Sequence, residues 1–278
     1  MGFSSTATEY DHAFITGPNG VGMTDLGNNG GAGFSANGIN DFGQVVLSSF
    51  GRGTEQYRVG IVTGPNGMGI TLLGTLGGEY STAEDINNSG RVVGTSQTAD
   101  GFTHAFIADP PNMGLIDLGT LGGNRSLAFA INMTGQVTGS SETADGFTHA
   151  FITGHDGMNM RDLGTLGGDQ SFALDINEVG QVAGWSYTAK SIELDDSHAF
   201  ITGVDGMGMM DLNSLVDLPQ GTILTRAIGI NNNGQVVAWG HSELPMIPEP
   251  ESYALMLAGL GLIGFVAWRK KAENRLGY

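Results

Sequence analysis

Short apolar runs rich in β-branched and aromatic residues recur along the chain, separated by glycine-rich turns. His12-Ala13-Phe14-Ile15-Thr16-Gly17 returns as His104-Ala105-Phe106-Ile107-Ala108-Asp109, again from His149 and from His198, with a degenerate copy Val59-Gly60-Ile61-Val62-Thr63-Gly64. The copies start 47, 45, 45 and 49 residues apart. Each leads into Asp-Leu-Gly or a variant, with aspartates at Asp25, Asp117, Asp162 and Asp211, and three continue into Gly-Thr-Leu-Gly-Gly at Gly74, Gly119 and Gly164. A third block, Ile-Asn-x-x-Gly-Gln/Arg-Val, stands at Ile39, Ile86, Ile131, Ile176 and Ile230.

These runs predict strands, because the glycine clusters between them break any helix of useful length. Asn-x-x-Gly supplies a side chain that caps the turn and a glycine free to take positive φ, so it predicts a hairpin corner. One unit then holds four strands: residues 80–86, residues 91–96, the His-Ala-Phe run and the Asp-Leu-Gly run. Four strands in about 45 residues is the size of a propeller blade. The expected fold is an all-β repeat propeller of about five four-stranded blades over residues 1–243. The chain begins with one kind of half-unit and ends with the other, so the two are expected to pair as a composite blade. An open solenoid is disfavoured because the period is too long for one coil.

Composition narrows the chemistry. Of 278 residues 47 are glycine, about 17 % against a usual value near 7 %. There is no cysteine, which excludes a disulfide scaffold, a thiolate zinc site and a thiol enzyme. Net charge is −17; without residues 269–278 it is −20, from seven basic and 27 acidic residues. Such a surface repels phosphate backbones, so no nucleic-acid partner is expected.

The unit Ala-x-x-Ile-Asn-x-x-Gly-Gln-Val-x-Gly-x-Ser…His-Ala-Phe…Asp-Leu-Gly-Thr-Leu-Gly-Gly resembles the HAF repeat of predicted extracellular proteins, over roughly residues 2–242. The resemblance implies location and a β-repeat architecture and carries no catalytic activity. The Val59 copy departs from it by lacking both His and Phe.

The character of the chain changes after Glu243. Residues 244–252 form a Pro-rich, extended linker containing Pro248-Glu249-Pro250. Residues 253–268 are sixteen uncharged positions, about 24 Å as a helix against a hydrocarbon core of roughly 30 Å. Tyr253 and Trp268 suit the two interfaces, and Arg269-Lys270-Lys271 opens a basic tail, 269–278, expected to stay cytoplasmic. A transmembrane helix is expected at 253–268. The order Ile247-Pro-Glu-Pro, apolar span, basic cluster resembles the PEP-CTERM sorting signal. It implies transient anchoring in the inner membrane of a Gram-negative bacterium, recognition by an exosortase near Pro248, Glu249 and Pro250, and association with exopolysaccharide and biofilm matrix.

No export signal precedes the repeats, since residues 1–10 have neither a basic nor an apolar region. Gly2 lies ten residues before its His-Ala-Phe run, as Gly94 does, which gives Met1 the register of Val93. The expectation is an internal start, a GTG valine codon, with the rest of that hairpin and a signal peptide upstream. The blades would then need recounting.

Candidate ligands among the repeats are few. His12, His104, His149 and His198 could line a channel and bind metal, but one repeat lacks the residue, and an inter-strand hydrogen bond is the expected role. The four recurrent aspartates could hold calcium, yet no Asp-x-Asp-x-Asp-Gly loop exists, and an aspartate before Leu-Gly is a common turn former. Gly119-Thr120-Leu121-Gly122-Gly123 lacks the Gly-Lys-Ser/Thr ending of a phosphate loop. The methionine turns (Met68, Met158, Met160, Met207, Met209, Met210) could form a contact surface and are expected to fill gaps. No cofactor and no catalytic residue is expected. The reading is a non-enzymatic, exported, glycan- or protein-binding scaffold. Its alternative, an exported carbohydrate-active hydrolase or lyase, would need polar residues that break the repeat; the irregular segments 190–196 and 215–220 are the places to seek them.

Overall fold

The computed structural model describes residues 2–5, 11–27, 33–50, 59–109, 114–188 and 197–242. The linker, the apolar span and the basic tail lie outside them. Residues 1–219 and 223–241 form one compact unit; of a second unit, only residues 220–222 and 242 are described.

Among the described residues the structure is strands and turns, with 3-10 turns as the only helical pieces. The first sheet is β1 (Gly2–Ser5), β2 (Asp11–Ile15) and β3 (Thr24–Asp25); the second is β4 (Gly33–Ile39), β5 (Val45–Phe50), β6 (Gly60–Thr63) and β7 (Ile70–Leu72). Three further antiparallel groups of four repeat the plan. They are β8 (Gly77–Ile86), β9 (Val92–Thr98), β10 (Thr103–Ala108) and β11 (Leu115–Asp117); then β12 (Gly122–Ile131), β13 (Val137–Thr143), β14 (Thr148–Ile152) and β15 (Arg161–Asp162); then β16 (Gly167–Ile176), β17 (Val182–Thr188), β18 (Ser197–Thr202) and β19 (Met209–Asp211). Single parallel bridges, Thr103 to Arg125 and Thr148 to Gln170, link these three groups. The last pair is β20 (Thr222–Ile230) with β21 (Val236–Ser242).

The four-strand unit stands as expected; the composite blade does not. Among the described residues β20 and β21 pair only with each other, and β1 pairs only with β2. The result is four four-stranded sheets flanked by a three-stranded and a two-stranded one. Gly2 pairs with Phe14 as Gly94 pairs with Phe106, so the register read for the first residues holds.

Consecutive sheets pack face to face. Val93, Ala105 and Ile107 of one sheet meet Ala128, Val137 and Phe151 of the next, and Ala150 and Ile152 then meet Ala173, Val182 and Phe200. The phenylalanine of His-Ala-Phe is fully buried at Phe106, Phe151 and Phe200, each worth about 2 kcal/mol relative to exposure.

Side-chain hydrogen bonds set the stacking. The asparagine of each Ile-Asn corner does two jobs. Asn132 Oδ1 accepts from the backbone N–H of Gln136 and from the Thr134 hydroxyl, closing its own turn. Its Nδ2 donates to Gln136 Oε1 and to the backbone carbonyl of Asn177 in the next repeat, at 3.1 Å. The same rung joins Asn40 to Asn87, Asn87 to Asn132, and Asn177 to Asn231. The neighbouring turn position adds a second line, with Asp41 N–H to Asn88 Oδ1, Met133 N–H to Glu178 Oε2, and Glu178 N–H to Asn232 Oδ1. Asn40, Asn87, Asn132 and Asn177 are buried, whereas Asn231 is exposed.

The glycine of Val-x-Gly is fixed by contact. A Cβ on Gly94, Gly139 or Gly184 would stand 1.9–2.0 Å from the facing carbonyl of Thr82, Leu127 or Phe172.

Asn132→Ala is expected to cost on the order of 3 kcal/mol, because it orphans buried turn groups, while Asn231→Ala costs under about 1 kcal/mol. Gly139→Ala is expected to cost about 3 kcal/mol through forced backbone movement. Gly114→Ala, with open space around it, is expected to lie within about 0.5 kcal/mol of the parent. Urea unfolding of the four variants checks the ordering.

Candidate functional site

The recurrent histidines and aspartates meet each other. His12 Nδ1 lies 2.8 Å from an Asp25 oxygen, and His104 with Asp117, His149 with Asp162 and His198 with Asp211 repeat the pair at 2.8, 2.8 and 2.6 Å. Each pair spans 13 residues, the distance from the start of the His-Ala-Phe strand to the end of the strand beside it. The same aspartates accept backbone N–H bonds two residues on, from Gly27, Gly119, Gly164 and Asn213. These bonds, from Gly27 first and His12 second, hold the Asp25 carboxyl below its ordinary value. The pair is a pin between two strands and a turn, the role expected for the histidine. That the aspartate was its partner could have been read from the constant spacing.

The serines of the repeat are pins of the same kind. Ser126 Oγ accepts from Ala105 N–H and donates to the Gly119 carbonyl; Ser171 does so between Ala150 and Gly164. Thr120 Oγ1 accepts from Gly122 N–H and donates to the Gly123 carbonyl, which makes Gly119-Thr120-Leu121-Gly122-Gly123 a self-closed turn.

Two half-buried carboxylates were not foreseen. Asp85 and Asp175 sit beside a β-bulge that follows Ala83 and Ala173. Asp85 accepts the N–H of Ile86 and, 3.0 Å away, that of Ile131 in the next repeat; Asp175 accepts those of Ile176 and Ile230. Two side chains thus serve four bulge amides. The positions between and outside them are Gly38, Ala130 and Gly229, which leave room for each carboxylate. Burial pushes both carboxyls up from their ordinary 3.8, and for Asp85 the charge of Asp175 adds to the rise. Burial likewise raises Glu84. The signal was the alternation Gly, Asp, Ala, Asp, Gly before the recurrent isoleucine.

Among the described residues no group of three or more His, Asp or Glu side chains converges as a metal site would require. Of the methionine turns, Met209 packs against the core cluster between the third and fourth repeats and Met160 against the one between the second and third, while Met68 and Met207 are exposed. Of the irregular segments, 190–196 lies outside the described residues. Leu215 and Val216 line an apolar cavity of about 300 Å³ with Ile201, Leu224 and Val236; nothing there breaks the repeat with polar chemistry. A second cavity, about 250 Å³, is lined by Arg125, Leu127, Ser140, Ser141, Glu142, Thr148 and Phe172. Pro248, Glu249, Pro250, Arg269, Lys270 and Lys271 lie outside the described residues.

The strand order and stacked sheets define an all-β protein whose structural neighbours are TolB-like β-propeller proteins. The chain is similar to a putative TolB from Agrobacterium tumefaciens, with a TM-score of 0.57 at 14 % identity over 88 % of this chain and 90 % of that one. It is also similar to TolB from Acinetobacter baumannii, with a TM-score of 0.52 at 13 % identity over 74 % of this chain and 49 % of that one. Residues 247–271 match the PEP-CTERM protein-sorting motif, so this is an exported protein, sorted by an exosortase-type enzyme to the cell envelope or surface. No curated protein matches the sequence. Among the described residues no helix is long and apolar enough to cross a membrane.

Because each His–Asp pair is self-contained, EDTA is expected to leave the melting temperature unchanged. His104→Ala should cost at most about 1 kcal/mol, as a partly exposed pair does. Asp85 and Asp175 bind protons more tightly folded than unfolded. Their contribution is therefore full below about 3.8 and is lost as pH rises through their raised folded values. Asp25 runs oppositely: its contribution is present above the ordinary value and lost as pH falls through its lowered one. Urea midpoints from pH 3 to 7 are expected to show the first decline flattened in the Asp85→Asn, Asp175→Asn double variant.

Proposed function

We propose that the protein is an exported HAF-type repeat scaffold that binds glycan or protein at the cell surface and carries out no chemistry of its own. The sorting motif at 247–271 carries this reading. The repeat supports it: the residues that recur in reactive-looking patterns, histidine, aspartate, serine and asparagine, are spent on pinning strands and joining repeats. In this reading the body is a propeller of about five blades. Residues 253–268 anchor it transiently in the inner membrane, with Arg269, Lys270 and Lys271 on the cytoplasmic side. An exosortase acts near Pro248, Glu249 and Pro250, and exopolysaccharide of the matrix is the candidate ligand.

Expression of the full gene in a host with and without its exosortase tests the sorting step. The protein is expected at the surface only when the enzyme is present, and replacing Pro248, Glu249 and Pro250 by alanine is expected to hold it at the inner membrane. Surface delivery that ignores both changes overturns the assignment. Incubation with matrix polysaccharides is expected to give retention without release of shorter products; release makes the protein an enzyme.

A further inference from the structure

The 250 Å³ cavity stands where the third repeat meets the fourth, between β12, β13, β14 and β16. Corresponding junctions on either side carry different side chains. At the second repeat the Tyr80 hydroxyl closes onto Thr103 Oγ1 at 2.6 Å. At the fourth, Trp185 stands in the position of Ser140, with Arg226 of the fifth repeat 4.9 Å from its ring centre. The third repeat has Arg125 where the second has Tyr80, and Ser140 where the fourth has Trp185. Two departures from the repeat therefore distinguish the junction that holds the cavity.

The walls carry matched chemistry. Phe172 supplies an aromatic side, and it is stiffened from its own sheet: Trp185 stacks on it at 4.3 Å and 17°, with the Tyr187 ring edge-on to Trp185 at 5.5 Å. Ser140 is 2 % exposed, lines the cavity, and its hydroxyl has no hydrogen-bond partner among the described residues. That hydroxyl is free to bond a group placed in the cavity. The Thr148 hydroxyl and the Arg125 guanidinium also lack partners there. Glu142 is held by the N–H of Asn124 on one oxygen, 2.8 Å away, and keeps its other acceptor sites.

We infer that this cavity is a subsite for one neutral pyranose unit of a glycan chain. A sugar ring presents a face of C–H groups to an aromatic side chain and a rim of hydroxyls that donate and accept. Phe172 meets the first need, and Arg125, Glu142, Ser140 and Thr148 meet the second. The volume is below the roughly 300–1,000 Å³ of sites for drug-sized ligands, which suits one ring. Arg125 and Glu142 cancel in charge, and a protein at −17 disfavours polyanionic chains. The inference rests on the binding-scaffold reading above and names its ligand class.

The full chain is titrated with cellohexaose, laminarihexaose, maltohexaose and mannohexaose, and with polygalacturonate as the acidic comparison, by calorimetry and by tryptophan fluorescence, since Trp185 lies directly behind Phe172. One or more neutral hexasaccharides are expected to bind and to shift the fluorescence. Arg125→Ala, Glu142→Gln and Ser140→Thr are each expected to weaken binding at least tenfold with little change in melting temperature. Ser140→Thr narrows the cavity with the residue class the second repeat carries as Thr95. Failure of every neutral hexasaccharide to bind at millimolar concentration overturns the subsite. So does binding, of polygalacturonate or any other chain, that all three variants leave unchanged, although the scaffold reading then stands. Binding that the variants abolish but that releases shorter sugars upholds the subsite and overturns the scaffold reading.

Discussion

The structure depends on one repeated contact, the asparagine side-chain amide that donates to the backbone carbonyl of the next repeat's asparagine. The same side chain accepts the N–H groups of its own turn. A corner that has folded correctly therefore presents its amide where the next repeat needs it. Local turn formation and repeat-to-repeat stacking are coupled through a single buried residue, and a buried amide with all its bonds made is worth far more than one left half-paired. The phenylalanine of His-Ala-Phe supplies the apolar area between sheets, while the asparagine fixes their register.

The conspicuous residues of the repeat are engaged in the same structural task. Each His–Asp pair closes a hairpin, serines such as Ser126 and threonines such as Thr120 tie strands and turns together, and the half-buried carboxylates serve backbone amides that a β-bulge has turned out of the ladder. Residues that recur in every repeat answer to the needs of the repeat. Departures from it, such as Ser140, Arg125 and the Phe172–Trp185 stack, are where the junctions differ from one another and where recognition has room to arise.

Much of the architecture was legible because it is local. The His-Ala-Phe strands, the Asn-x-x-Gly corners and the four-strand unit follow from periodicity and turn chemistry within about 45 residues. The link between His104 and Asp117 was also within reach, being a fixed spacing in four copies. What could not be read was contact at a distance of one repeat: that Asn87 reaches Asn132, that Asp85 reaches Ile131, or that Trp185 braces Phe172 across a strand pair. The first two depend on how sheets stack, and identical sequence blocks are compatible with several stackings; the Phe172–Trp185 pair lies within one sheet and breaks the repeat consensus. The pairing of the chain's two ends failed for a related reason, since complementary half-units in sequence do not fix which strand edges meet.

The half-buried carboxylates give the array a parity. Asp85 and Asp175 each reach forward one repeat, and the small residues at Gly38, Ala130 and Gly229 are what allow it. Loss of the third repeat by recombination would set Asp85 against Asp175, two desolvated like charges in adjacent turns. Duplication of the third would leave the amide of the second copy's recurrent isoleucine with no carboxylate to accept it. Although the sequence repeats about every 45 residues, these carboxylates recur after 90, at Asp85 and Asp175, so in this chain two repeats make one complete set of contacts.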